Sequence, residues 1–387
     1  MKVLYILSGP SIYDGSSKSF LNLIRGLRKE NNIEIFVVCP SRKGMYELLV
    51  KEGFNAVGLK YAFSTKPDFS SIKSKLYFIP KLLRRFLFNN FSQCVLYLYC
   101  KKYKPDIIHT NTTAVSIGYF VAKKLGIPHI WHIREYGDLD FGMNMRKINS
   151  YLINVNNYTI SITEDIAKHR GVYRKQGNVV IYNGIYNTED AIYIEKKDNY
   201  YLYAGRIQET KGLKELVQAF ILFLKSRPNS EIVLKIAEGA VDRPYKDEII
   251  ELIKDSNIGN KIEWLGHISD IGALMSKAMA IIVPSYNEGF GRVTAEAMFN
   301  GALVVGRNTG GTKEQFDNGE KKCGQNIGLR FTTTEECSQC LISIYDKGIN
   351  AFNEMILKGQ QTAVSLYSNE AYVKNVSNFY SKVLSNQ

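Results

Sequence analysis

Glu288 and Glu296 lie in a run reading Pro284-Ser-Tyr-Asn-Glu288-Gly-Phe-Gly291-Arg-Val-Thr-Ala-Glu296-Ala-Met. The run has the form of a strand end, a glycine-containing turn and a helix start. Backbone N–H groups at such a turn attract anions, and Gly289 and Gly291 let a ligand approach the main chain closely. Carboxylates repel phosphate, so the natural targets of the two acids are hydroxyls, on a sugar and on a ribose. The plainer alternative leaves both as solvated charges near a helix N-terminus, where carboxylates are favoured in any case. A second group, Ala204-Gly205-Arg206-Ile-Gln-Glu-Thr-Lys211-Gly212, follows the first strand of the second half. Two cations at the C-terminal end of a strand and at the entry to a helix suit a diphosphate at the mouth of a sheet. Taken singly, each would pass for an ordinary surface charge.

Together these runs resemble family 4 of the retaining glycosyltransferases, which have the GT-B fold. The residues carrying the resemblance are the E-x7-E of Glu288 and Glu296 within Pro-Ser-x-x-Glu-Gly-Phe-Gly, and Gly205-Arg206 with Lys211-Gly212. Asn183-Gly184, Gly126-Ile-Pro128 followed by His132, Gly310-Gly311 and Phe379-Tyr380 extend it over nearly the whole chain. The resemblance implies that Arg206 and Lys211 neutralise a leaving diphosphate and that Glu296 holds the nucleotide ribose. It further implies that Glu288 holds the transferred sugar and that His132 sits beside it. The implied catalytic set is Glu288, His132, Arg206 and Lys211. The implied donor-binding set is Gly15, Arg206, Lys211, Glu288, Gly289, Phe290, Gly291, Arg292, Val293 and Glu296.

No metal and no cofactor is implied beyond the nucleotide-sugar substrate, with a UDP-sugar preferred over a GDP-sugar. The implied reaction moves a hexose, with retention, to a hydroxyl of a glycolipid or polysaccharide acceptor in bacterial surface-polysaccharide synthesis. One carboxylate beside the sugar is not the pair a retaining glycosidase uses, so Glu288 is not expected to be a nucleophile. Two departures stand out: the family's N-terminal Gly-Gly loop is here Asp14-Gly15-Ser16, and its Gly-x-Gly after the next strand of the second domain is Ala237-Glu238-Gly239. Other readings are a nucleotide-sugar epimerase of similar shape, which leaves Arg206 and Lys211 unexplained, and a non-catalytic transferase-like binding subunit. A nucleic-acid binder is suggested only by charge, without a recognisable module.

The elements needed to position these residues follow from a repeated strand-then-helix alternation, which predicts parallel sheets covered by helices. In the first half, strands are expected at Val3–Leu7, Ile33–Cys39, Asp106–His109 and His129–Ile133, with helices at Lys18–Lys29, Met45–Glu52 and Ala114–Leu125. After an irregular stretch from Tyr186 to Asn199 the alternation restarts. Its strands are Tyr200–Tyr203, Glu231–Ile236, Ile262–Leu265, Ala280–Pro284 and Ala302–Gly306, and its helices are Gly212–Ser226, Asp247–Ser256 and Ile271–Ser276. The fold class is therefore α/β, with two Rossmann-like doubly wound domains facing each other across a cleft. Residues 1–185 form an acceptor domain and 186–368 a nucleotide-sugar domain, while a helical tail, 369–387, crosses back to the first.

The 387 residues suffice for two cores. The net charge of +13 is unevenly placed: up to Ile185 there are 27 Lys and Arg against 12 Asp and Glu, and beyond it 23 against 25. A basic first half calls for an anionic partner. From Lys73 to Lys104 there are eight cations (Lys73, Lys75, Lys81, Arg84, Arg85, Lys101, Lys102, Lys104) and no acid. Leu76, Ile79, Leu82, Leu83, Phe86 and Leu87 fall near helical spacing. Such a helix suits an anionic membrane surface, unless its apolar groups pack on their own domain. Lys2 is followed by too short an apolar run for a signal segment, and no run could span a bilayer, so a cytoplasmic, at most peripheral, protein is expected. Scattered cysteines fit a reducing compartment, and Cys337-x-x-Cys340 reads as a half-buried helix face rather than a zinc site. Among the histidines, His109 ends a strand at the cleft edge, and His129, His169 and His267 read as structural or surface groups.

Overall fold

The computed structural model describes residues 1–30, 32–63, 78–141 and 147–386. The chain divides into two compact units, Met1–Gly184 with Tyr372–Gln387, and Ile185–Ala371. Each is a parallel sheet flanked by helices, in the Rossmann-like manner.

In the first unit the strands are β1 (Lys2–Ile6), β2 (Glu34–Cys39), β3 (Asn55–Gly58), β4 (Ile107–Thr110), β5 (His129–Ile133), β6 (Tyr158–Ser161) and β7 (Asn178–Val180). They are all parallel, in the order β3-β2-β1-β4-β5-β6-β7. β1, β4 and β5 are buried almost throughout, as continuous apolar runs in a doubly covered sheet should be. The order reverses between β1 and β4, so the loops after these strands flank the unit's topological switch point. The helix after β1 runs Gly15–Lys29, earlier than the apolar spacing implied, because Asp14 caps it by accepting the Ser17 N–H at 2.8 Å. β3, β6 and β7 were not expected. They are short, and β3 and β7 are only half-buried, so they carry little periodic signal.

The second unit holds β8 (Asp198–Ile207), β9 (Val233–Val241), β10 (Ile262–Gly266), β11 (Ala278–Val283), β12 (Val304–Arg307) and β13 (Leu329–Phe331). These are parallel too, in the order β10-β9-β8-β11-β12-β13, with the reversal between β8 and β11. β8 and β9 outlast their expected ends. Gly205-Arg206 therefore ends a strand rather than following one, and Ala237-Glu238-Gly239 lies inside β9, where Gly205 is in register with Glu238. The helix Arg243–Asp255 starts before its expected position, with Pro244 in its first turn.

The basic stretch of the first unit is partly described. Lys73, Lys75 and Leu76 lie outside the described residues. From Phe78 to Tyr103 the chain is one helix. Toward its C-terminal end Leu96 and Cys100 are buried in the unit's core, whereas Ile79, Leu83, Phe86, Leu87, Phe91 and Leu98 are exposed, Ile79 at 73%. Ile79, Leu83 and Phe86 border a groove of about 700 Å³ that is also lined by Phe63, Leu82, Phe120 and Leu152. Among the described residues no helix is long and apolar enough to cross a membrane. Cys337 and Cys340 lie on the helix Thr334–Lys347, the first buried and the second half-buried.

Candidate functional site

The loops after β8 and β11, at the second unit's switch point, bring Lys211 and Glu288 together. Lys211 closes a short 3-10 turn after β8, and Gly212 follows it at φ 69°, a conformation that suits glycine. A Cβ on Gly212 would stand 2.3 Å from the Pro284 carbonyl oxygen, so the loops after β8 and β11 touch backbone to backbone. The Tyr286 N–H donates to the Thr210 carbonyl at 3.0 Å across the same seam. This close approach brings residues 77 positions apart into contact: Lys211 Nζ donates to Glu288 Oε1 at 2.5 Å. The side chains are only 14% and 17% exposed, so the pair is held in place rather than solvated.

The turn bearing Glu288 is fixed from the helix Gly310–Cys323. The Gly311 N–H donates to the Glu288 carbonyl at 2.7 Å, and a Cβ on Gly311 would lie 2.3 Å from Phe290 backbone atoms. Gln315 donates to the carbonyls of Phe290 and Gly291, and Thr312 bonds Thr294. The Arg307 guanidinium donates to the Pro284 carbonyl at 2.8 Å and lies over the Tyr286 ring. Gly291, at φ 81°, opens the helix Arg292–Phe299, whose first N–H groups have no acceptor within the helix. Arg292 pairs with Glu296 at 3.0 Å, one turn on. Burial and the nearby Glu296 carboxylate push the Tyr186 hydroxyl up to about 12.

Of the donor set named from the sequence, this unit holds Arg206, Lys211, Glu288, Gly289, Phe290, Gly291, Arg292, Val293 and Glu296. Direct pairing joins Lys211 to Glu288 and Arg292 to Glu296. Arg206 is half-buried at the end of β8, and its carbonyl accepts from the Tyr203 hydroxyl. The Phe290 side chain turns inward against the Tyr367 ring, which leaves its backbone as the part nearest the turn. Val293 is half-buried in the first turn of the helix. Arg307, at the end of β12, and Thr312 and Gln315, the other supports of the turn, were not anticipated; only Gly310-Gly311 marked the helix that carries the last two.

Gly15 and His132 belong to the first unit. Gly15 is the first residue of its helix, immediately after the capping Asp14. His132 stands on β5 in a buried polar network that its motif did not reveal. Tyr5 is paired in register with His109, and His109 with Ile130, so His132 and Arg134, at successive two-residue steps, share the face of Tyr5 and His109. On that face Tyr5 and Tyr380 hydroxyls meet at 2.6 Å, Tyr380 meets His109 Nδ1 at 2.6 Å, and His109 Nε2 meets His132 Nδ1 at 3.1 Å. Arg134 donates to Asn111 Oδ1, Asn183 Oδ1 and the Tyr372 hydroxyl at 2.7–2.8 Å. Burial, with the Arg134 charge beside them, holds His109 and His132 well below the ordinary histidine range. Asn183 was singled out and Arg134 was not; its signal was the two-residue step from His132.

His129 is buried and structural, bonded to Thr110 and Asn156, and His267 is exposed. His169 bonds Asp138 at 2.8 Å. Asp138-Leu139-Asp140 forms an Asp-x-Asp in the first unit. Buried Glu135 accepts from Thr112 and from the backbone and hydroxyl of Thr113 at the C-terminal edge of the first sheet, and it too was missed.

Comparison with known proteins bears on both units. Residues 13–187 match the model of Glycosyltransferase Family 4, and residues 187–329 that of glycosyl transferases group 1. An alpha-monoglucosyldiacylglycerol synthase of Acholeplasma laidlawii is 26% identical over 72% of this chain and 76% of its own length. An O-antigen chain mannosyltransferase of Salmonella typhimurium is 30% identical over 38% of this chain and 40% of its own. The solved structure of HepE from Anabaena in complex with UDP superposes with a TM-score of 0.78 at 16% identity, over 99% of this chain and all of that one.

Proposed function

The chain belongs to the family 4 glycosyltransferases and has their GT-B architecture of two Rossmann-like domains, and from that premise we propose that it transfers a hexose from a UDP-sugar, with retention, to a hydroxyl of a glycolipid or polysaccharide acceptor. The observation that carries this reading is the arrangement at the β8/β11 switch point: Arg206, the Lys211–Glu288 pair and the helix opened by Gly291 converge where an α/β sheet takes its ligand. The UDP complex of HepE and the glycolipid product named for the Acholeplasma relative favour the same donor and acceptor classes.

In this reaction the glycosidic C–O bond to the diphosphate breaks as positive charge develops on the sugar. Arg206 and Lys211 stabilise the departing diphosphate, aided by the N–H groups of the helix that begins at Arg292. Glu288 then exchanges its contact with Lys211 for the sugar hydroxyls, and Glu296 takes the ribose. These cations perform the role a divalent metal would otherwise have. The acceptor oxygen bonds to the anomeric carbon on the face the diphosphate leaves and passes its proton to the departing phosphate oxygen, which preserves the anomeric configuration. The exposed apolar and basic face of the helix Phe78–Tyr103 would hold the enzyme at an anionic membrane where such an acceptor lies. A bacterial surface-polysaccharide or glycolipid pathway, with the enzyme on the cytoplasmic side, fits these parts.

The test is a thermal-shift screen with UDP-, GDP- and ADP-sugars, followed by NMR of the product in saturating EDTA. Stabilisation by a UDP-sugar and an α-linked product from an α-linked donor support the proposal. Inverted product, or activity that collapses without Mg²⁺ or Mn²⁺, would refute the assigned mechanism. An isomerised free nucleotide-sugar would point to the epimerase instead.

A further inference from the structure

We propose that Arg134 fixes the direction of a hydrogen-bond chain, Tyr5 to Tyr380 to His109 to His132, so that His132 carries its proton on Nε2 and offers substrate a donor rather than a base. The assignment of a substrate oxygen as the acceptor rests on the transferase reading above; the direction of the chain does not.

A guanidinium has only donors. Arg134 Nη2 lies 3.4 Å from His132 Nδ1, so that nitrogen must present its lone pair. His109 Nε2, 3.1 Å from the same atom, must then donate to it. With its proton on Nε2, neutral His109 can only accept at Nδ1, where the Tyr380 hydroxyl lies 2.6 Å away. Tyr380 donates there, and so accepts from Tyr5 at 2.6 Å. Every proton in the chain is assigned by one cation at its end. The reverse arrangement keeps the three bonds among the tyrosines and histidines, but it forfeits the Arg134 bond and points the His132 Nδ1–H at a buried guanidinium.

The chain is held on both sides. Arg134 is anchored by Asn111, Asn183 and Tyr372, all neutral, and is itself only 6% exposed. Around His132 lie Arg134, His109 and the Tyr372 ring, 6.4 Å away, and no carboxylate bonds to the chain among the described residues. Nothing there favours imidazolium, in agreement with the depressed basicity of both histidines. At the far end His132 Nε2 is buried and has no hydrogen-bond partner among the described residues. A buried N–H left unmade is costly. A hydroxyl oxygen of the donor's sugar would satisfy it. Arg134, His109, Tyr380 and Tyr5 are thus positioning residues that act through His132.

The direct test is NMR of the whole protein with ¹⁵N-labelled histidine, before any substrate is added. His132 and His109 should both be protonated on Nε2 and not on Nδ1, and neither should titrate between about pH 6 and 8. Protonation of His132 on Nδ1, or its titration in that range, overturns the proposal. In Arg134→Met the two directions lose their bias, and a Nδ1-protonated population of His132 should appear. If that variant does not fold, Tyr380→Phe serves instead: Arg134 still faces Nδ1, so His132 should keep its tautomer, and a switch would show that Arg134 does not set it. In transfer assays His132→Gln, which retains an N–H donor, should keep roughly tenfold more kcat than His132→Leu, with UDP affinity equal in both. Equal loss in both variants would remove the donor role, while absence of any transferase activity would fault the functional reading and leave the tautomer result standing.

Discussion

At the C-terminal edge of each sheet the chain gathers polar side chains, but the two units use them in opposite ways. In the second unit they are charged, half-buried and paired: Lys211 with Glu288 and Arg292 with Glu296. In the first they form a fully buried, largely neutral network of tyrosines and histidines with one cation, Arg134. Charged pairs that a ligand can break suit the binding and release of a charged diphosphate. A buried neutral network is rigid and cannot trade its partners without leaving donors unmade. The contrast assigns electrostatic work to one unit and orientation to the other.

The largest effect that would break this comparison is at Glu288. Glu288→Ala should abolish transfer, since the sugar loses its contact, yet UDP should bind at least as well because Lys211 loses its internal competitor. Radiometric transfer and calorimetric UDP titration check the two halves; transfer at the wild-type rate would remove Glu288 from the mechanism. Next in size is Gly311→Ala. Its Cβ would push on the Phe290 backbone and displace the Glu288 turn, so stability should fall by about 1–3 kcal/mol. UDP affinity should fall with it, while the histidine NMR signals of the first unit stay unchanged.

The strand-helix alternation made the doubly wound architecture legible, because long buried strands such as β1 and β11 announce themselves as apolar runs. The second unit's site was legible for a similar reason: its charged residues sit in one turn and one strand end, so local spacing exposes them. The network around His132 was not legible. Tyr5, His109, Arg134 and Tyr380 come from four distant segments, and only the register of three strands and the packing of the last helix bring them together. β7 and β13 escaped notice because strands of three residues are too short to show a period.

The comparison is sharpened by acid. Burial holds His129 at about 3 and keeps His109 and His132 well below the usual range. All three lie in the first unit, whereas the second contains His267, which is exposed. Below about pH 6.5 the unfolded chain takes up protons that the folded one refuses, so this stability is complete above that pH and is lost as pH falls. Each histidine contributes up to ~1.4 kcal/mol per pH unit. Calorimetry from about pH 7.5 to 5.5 should show the first unit's transition moving down while the second's stays nearly fixed; equal shifts would contradict the contrast.

The smallest expected effect concerns the helix Phe78–Tyr103. Anionic vesicles should retain the protein at low salt and neutral ones should not, with about 1 kcal/mol lost for each of Arg84→Ser and Arg85→Ser. UDP affinity should be unaffected, since the charged pairs belong to the other unit. If anionic vesicles fail to retain the wild type, membrane contact is excluded from the account.

Calorimetric titration of UDP into wild type, Arg206→Ala, Lys211→Ala and His132→Gln tests the central claim most directly, because it reads donor binding without acceptor or turnover. The account predicts that the two cation variants lose UDP affinity by roughly 100-fold, the scale of a single electrostatic stabiliser, while His132→Gln binds as wild type does. Wild-type affinity in both cation variants would contradict it and move the donor away from the β8/β11 switch point.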